Sequence, residues 1–130
     1  MSEIPEAVQA ELLAHADACL PHEACGYLVG DPDTGRVVRF VPITNAAASP
    51  TRFVFEPHEQ LAAEQAIDAA GEQLIGIAHS HPNGEAVPSA VDIADAGRFD
   101  PFGMLLHVVI APTAGEIRSY RITDGDVTAA

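Results

Sequence analysis

Two histidines spaced two apart, His79 and His81, precede a serine and an aspartate spaced three apart, Ser89 and Asp92. In an extended segment residues i and i+2 face one side, so both imidazoles can converge on one ion. Residues three apart at the start of a helix share a face, about one turn apart. A loop that returns such a helix to the strand end brings two imidazoles and a carboxylate together. Three protein ligands and an open fourth position are the coordination of a catalytic zinc ion, whereas structural sites usually fill all four. An ion that makes water easier to deprotonate still needs a group to carry the proton. With Asp92 engaged as a ligand, Glu23, in the run Pro21-His-Glu-Ala-Cys-Gly26, is the candidate for that role.

The elements that must position these residues follow from pattern. Residues 5–19 predict a helix, with Ile4, Val8, Leu12, Leu13 and Ala16 at helical spacing and Pro5 suited to its first turn. Residues 26–30 and 36–42 read as two strands of a hairpin across the breaker-rich turn Asp31 to Gly35. A third short strand is expected over Arg52 to Phe55. Pro57 opens a second helix to about Ala70, ended by Gly71. Leu74 to His79 is an apolar strand, and Pro82 to Pro88 a loop. Ser89 is placed to cap a short helix ending near Gly97. Met104 to Ala111 reads as a buried strand and Glu116 to Thr123 as a last strand, with a turn at Asp124-Gly125. This order predicts an α/β or α+β domain with one mixed, largely antiparallel sheet and helices beside it.

Composition bounds the rest. At 130 residues, 48% of them hydrophobic, the chain suits a single globular domain over 1–130 and has no room for a (β/α)₈ barrel of roughly 250 residues. Nineteen acidic against six basic residues give a formal charge of −13, which disfavours nucleic acid as a partner. No apolar run reaches the roughly 20 residues of a membrane span. The acidic start, Met-Ser-Glu-Ile-Pro-Glu, lacks a signal-peptide pattern, so a cytoplasmic location is expected. Cys19 and Cys25 read as packing residues, His15, His22 and His58 as solvated, and His107 as a satisfied core histidine. Tyr27 and Tyr120 read as packing residues with bonded hydroxyls, and Asp124 and Asp126 as turn chemistry. A deaminase-type zinc site needs a later P-C-x-x-C, which is missing, and no H-E-x-x-H helix occurs.

Glu23, His79-Ser80-His81, Ser89 and Asp92, in this order and spacing, resemble the signature of the JAMM/MPN+ metalloprotease family. Glu-Ala-Cys-Gly-Tyr-Leu-Val-Gly is similar to that family's first strand, and His-Ser-His-Pro to its metal strand. The resemblance covers nearly the whole chain. It implies a cytidine-deaminase-like MPN/JAMM core, a curved mixed sheet flanked by two long helices and one short one. It also implies a zinc peptidase that cleaves after the C-terminal glycine of ubiquitin-like proteins. On that resemblance His79, His81 and Asp92 would ligate one Zn²⁺, Glu23 would be the general acid/base, and Ser89 would hydrogen-bond the oxyanion or the water.

Asn45-Ala, Ser49-Pro-Thr, Glu59-Gln-Leu and the ending from Arg118 to Thr128 resemble the bacterial CysO-cysteine peptidases, which release cysteine from a sulfur-carrier protein ending in Gly-Gly. The Pro82-Asn83-Gly84 loop start departs from that subgroup and is similar to the wider family. The substrate expected is therefore a ubiquitin-like sulfur carrier with a Gly-Gly tail, its leaving group either cysteine or a lysine side chain. The alternative is a non-catalytic, zinc-stabilised module that binds such a tail. Oligomeric state is not legible.

Overall fold

The computed structural model describes residues 4–130. Helix α1 spans Glu6–Cys19, followed by strands β1 (Cys25–Gly30) and β2 (Val37–Ile43), helix α2 (Pro57–Ala69) and strand β3 (Gln73–Ser80). Helix α3 (Ala90–Phe99) precedes β4 (Leu106–Ala111), β5 (Glu116–Thr123) and β6 (Asp126–Ala129). The strands form one sheet in the order β2-β1-β3-β4-β5-β6. Only the β3–β4 pair is parallel, so the sheet is mixed and mostly antiparallel, as the sequence predicts.

Each face of this sheet carries its own apolar cluster. Val8, Leu12 and Ala16, one stripe of α1, pack on Leu28, Ala78 and Val108. On the opposite face Ala63 and Ile67 of α2 pack on Tyr27, Val29 and Ile77. Strand alternation assigns Tyr27, Val29 and Ile77 to the α2 face, while a register shift opposite Val29 turns Ile75 to the α1 face. Burying a side chain such as Leu12 completely contributes about 2–3 kcal/mol relative to leaving it exposed. Gly71 ends α2 with φ +67°, a left-handed conformation that a Cβ would strain.

Four expectations are corrected. Arg52 to Phe55 is not a strand; a single bridge joins Phe55 to Asn45, because the Asn45 side chain occupies Arg52 O and Val54 N. The fourth strand starts at Leu106 rather than Met104, because the Asp100 carboxylate accepts the N–H groups of Met104 and Leu105. The short helix runs past Gly97 to Phe99, with Asp100 following it. The Asp124-Gly125 turn, with φ of 52° and 80°, does more than end a strand: it opens a hairpin to β6. That geometry suits the right-handed twist of paired strands.

Candidate metal centre

The sheet register delivers the site. Cys25 pairs with His79 across β1 and β3, so Glu23, two residues before Cys25, comes to the end of β3. Ser80, between the histidines, fastens the junction: its Oγ accepts the Ala24 N–H at 2.8 Å and its N–H donates to Ala24 O at 3.0 Å. The parallel return to β4 carries α3 with it. Ser89 caps this helix, accepting the Asp92 N–H at 3.1 Å, while the Ser89 N–H donates to Asp92 Oδ2 at 2.8 Å. This reciprocal capping box satisfies two donors of the helix end and fixes the Asp92 carboxylate.

Three donor atoms then meet. His79 Nε2 and His81 Nε2 are 3.2 Å apart, and Asp92 Oδ2 lies 3.0 Å from the first and 3.1 Å from the second. Ligands held at ~2.0–2.1 Å from a tetrahedral ion sit about 3.3 Å from one another, so the triangle has nearly the size of one coordination face. The His81 Nδ1 faces Glu85 O at 2.9 Å, and a carbonyl can only accept, so Nδ1 carries a proton. A neutral His81 therefore turns the lone pair of Nε2 toward Asp92 Oδ2. Two acceptors at 3.1 Å need a positive charge between them, supplied by a proton or by a metal ion. This second-contact arrangement is the one that metal-ligating histidines use.

The titration tendencies agree with an ion-shaped site. The bond to Asp92 raises the His81 imidazole, against the effect of burial. Burial opposes an ionised Asp92, but contacts from His79, His81 and the Ser89 N–H outweigh it and hold the carboxyl well below the usual range. Glu23 behaves in the opposite way. It is 2% exposed, and its Oε1 is buried with no hydrogen-bond partner. Burial pushes its carboxyl up to about 7, with His81 lowering it and Asp92 raising it. A general base works best near the operating pH.

Glu23 also falls in a looser donor group, its oxygen and the two imidazole nitrogens lying within 4.8 Å of one another. Two overlapping trios thus share the histidines. The closer and doubly contacted carboxylate is that of Asp92, while that of Glu23 retains a free oxygen. The donor set of two imidazoles and a carboxylate fits a zinc ion.

Sequence reasoning brought Glu23, His79, His81, Ser89 and Asp92 to one place, and the structure does the same. It adds two contacts that the sequence did not assign. Phe53 stacks on His79, with ring centroids 4.9 Å apart and planes at 24°. Asn45 binds the backbone at Glu23. Phe53 also lines a mainly apolar groove of about 400 Å³ with Tyr27, Phe55, Ile77, Phe99 and Leu105; none of the five site residues lines it, and Phe53, stacked on His79, is its link to the donor triangle. A larger concavity of about 1040 Å³, beside Arg36 and Arg121 at the other end of the sheet, contains none of the site residues. His107 is a satisfied buried histidine, its Nε2 donating to Asp100 Oδ2 at 2.9 Å. The Tyr27 and Tyr120 hydroxyls donate to Glu64 and to Ala86 O, and His22 and His58 are exposed. His15, expected to be solvated, instead packs half-buried against Phe40.

Residues 5–123 match the family described as prokaryotic homologs of the JAB domain. The chain belongs to that family. A relative named CysO-cysteine peptidase, from Mycobacterium tuberculosis, is 41% identical over 117 residues, covering 90% of this chain and 80% of its own. A Thermus thermophilus relative, named a probable TtuB-protein conjugate cleaving protease, is 32% identical over 127 residues, 97% of this chain and 79% of its own. The chain is also similar to the solution structure of a Desulfitobacterium hafniense protein, 35% identical with a TM-score of 0.86, covering 100% of this chain and 90% of that one. Among the described residues of this JAB chain no helix is long and apolar enough to cross a membrane.

Proposed function

We propose that this chain is a one-domain, zinc-dependent peptidase that hydrolyses the bond after the C-terminal glycine of a ubiquitin-like sulfur carrier and releases cysteine. The observation that carries the reading is the triangle of His79, His81 and Asp92 donors beside a buried Glu23 with a free oxygen. His79, His81 and Asp92 would hold the zinc. When bound there, zinc supplies Lewis acidity, polarising the scissile carbonyl and making water easier to deprotonate.

The chain's own residues do the remaining work. Glu23 takes the proton of the attacking water on its carboxylate and returns it to the leaving amine. The Ser89 Oγ already accepts the Asp92 N–H, so its own hydrogen is left to donate to the oxyanion. Capping and catalysis then use opposite sides of one hydroxyl and do not compete. The apolar groove takes the extended tail of the carrier, and terminal glycines let its backbone approach the ion closely. The names of the mycobacterial and Thermus relatives support a ubiquitin-like carrier as substrate, and the mycobacterial name supports cysteine as the leaving group. A location in the cytoplasm belongs to the same reading.

The test is an intact-mass assay. Zinc-loaded protein is mixed with a Gly-Gly carrier bearing a C-terminal cysteine, with Glu23→Gln as control. Loss of one cysteine with the wild type alone is expected. No cleavage by a zinc-loaded sample refutes cysteine release, and a lysine-linked carrier then tests the isopeptidase form. If Glu23→Gln binds the carrier unchanged and neither substrate is cut, the chain is a zinc-stabilised binding module.

A further inference from the structure

We propose that Asn45 is a positioning residue for catalysis, holding Glu23 and the His79 ring in register through one loop. The inference rests on the peptidase reading above. The Asn45 amide uses its whole bonding capacity. Its Nδ2 donates to Glu23 O at 3.1 Å and to Arg52 O at 3.0 Å. Its Oδ1 accepts the N–H groups of Ala47 and Val54, each at 3.0 Å. An amide offers two hydrogens and two lone pairs, so this set fixes which way it faces: the reverse would oppose two carbonyls to an oxygen and two N–H groups to an NH₂.

The consequence falls on Glu23. Its N–H donates to Ser49 O at 2.9 Å and its carbonyl accepts from Asn45, so both polar groups of its main chain are held by the segment that Asn45 organises. The next residue, Ala24, is held from the other side by Ser80 on β3. The Glu23 Oε1, by contrast, has no partner to aim it. The aim of the carboxylate is therefore set by the backbone beneath it and by packing. The same loop presents Phe53 to the His79 ring. One side-chain amide thus ties the proton-carrying residue to a metal-holding imidazole, with no contact to either reacting side chain.

A misplacement of about 1 Å costs on the order of 100-fold in rate, and residues supporting metal ligands typically cost 10–100-fold when changed. Asn45→Asp is the informative variant. It keeps the acceptor that organises Ala47 and Val54 but gives up the hydrogens held by Glu23 and Arg52; Asn45→Ala gives up both. Expected for Asn45→Asp is a fall in kcat of about 10–100-fold, with KM within about threefold and zinc content unchanged. In a Glu23→Gln background the same change should cost clearly less than in the wild type, because the share of the effect that acts through Glu23 has nothing left to position and only the share through the His79 ring remains. The visible spectrum of the cobalt-loaded protein should also change, since the Phe53 loop sets the His79 ring. Wild-type kcat in a variant with a lowered melting temperature, or an equal loss in the Glu23→Gln background, overturns the proposal. If the wild type itself cleaves no carrier substrate, the peptidase reading has failed, and an unchanged cobalt spectrum then overturns the positioning role separately.

Discussion

Glu23→Gln should stabilise the metal-free protein at neutral pH while lowering turnover to a small residual rate. Burial raises the Glu23 carboxyl from an ordinary 4.5 to about 7. A group whose folded value lies above its unfolded one contributes stability that is complete below the unfolded value and is lost as pH rises through the folded value. The wild type without metal is therefore penalised progressively from about pH 4.5 to about pH 7. At about 1.4 kcal/mol per pH unit the penalty approaches about 3 kcal/mol. Glutamine removes the charge but brings two N–H groups of its own, so a net gain of about 2 kcal/mol at pH 8 is expected. In a domain of this size that is roughly 8 °C in melting temperature. The assay is thermal or urea unfolding of both proteins in chelator at pH 5 and pH 8. The gap should open at pH 8, nearly close at pH 5, and shrink when zinc is added, because a dication compensates the buried carboxylate. Equal stabilities at both pH values would refute the argument that Glu23 is strained by desolvation.

Chelation should abolish cleavage and added Zn²⁺ restore it, read by intact mass. His81→Ala removes one corner of the donor triangle and its link to Glu85; zinc content by metal analysis should fall by more than tenfold. Ser89→Ala should cost about 1 kcal/mol through the lost cap, seen in urea unfolding, and about 100-fold in kcat through the lost donor. His107→Ala leaves the buried Asp100 carboxylate short of a partner. It should destabilise by about 3 kcal/mol, while zinc affinity, measured on the folded protein, changes little.

The site was legible in the sequence because its geometry is local. His79 and His81 share a strand, Ser89 and Asp92 share a helical turn, and each spacing has one structural meaning. The first helix was legible because its apolar residues recur at the helical period, and the central strands because they read as short continuous apolar runs buried on both faces. The segment from Asn45 to Phe55 was not. Its alternation of Arg52, Phe53, Val54 and Phe55 imitates a strand, but a side-chain amide takes the hydrogen bonds that a neighbouring strand would make. No periodicity reports that substitution. Strand β6 was missed because all four of its residues are exposed, leaving no buried face to pattern it.

The parallel pairing of β3 with β4 has a consequence for how this scaffold diversifies. Parallel neighbours cannot be joined by a tight turn, so the chain must travel through residues 81–105 before it rejoins the sheet. Within that stretch, residues 82–88 lie between a histidine anchored by β3 and an aspartate anchored by its own helix cap. Closure entropy grows only with the logarithm of length, so doubling such a loop costs about 0.6 kcal/mol. Segments inserted at the exposed residues Asn83 and Gly84 would stand beside the donor triangle while leaving both anchors, and the Glu85 carbonyl on His81, in place. The return path between the parallel strands is where new leaving groups can be accommodated without rebuilding the chemistry.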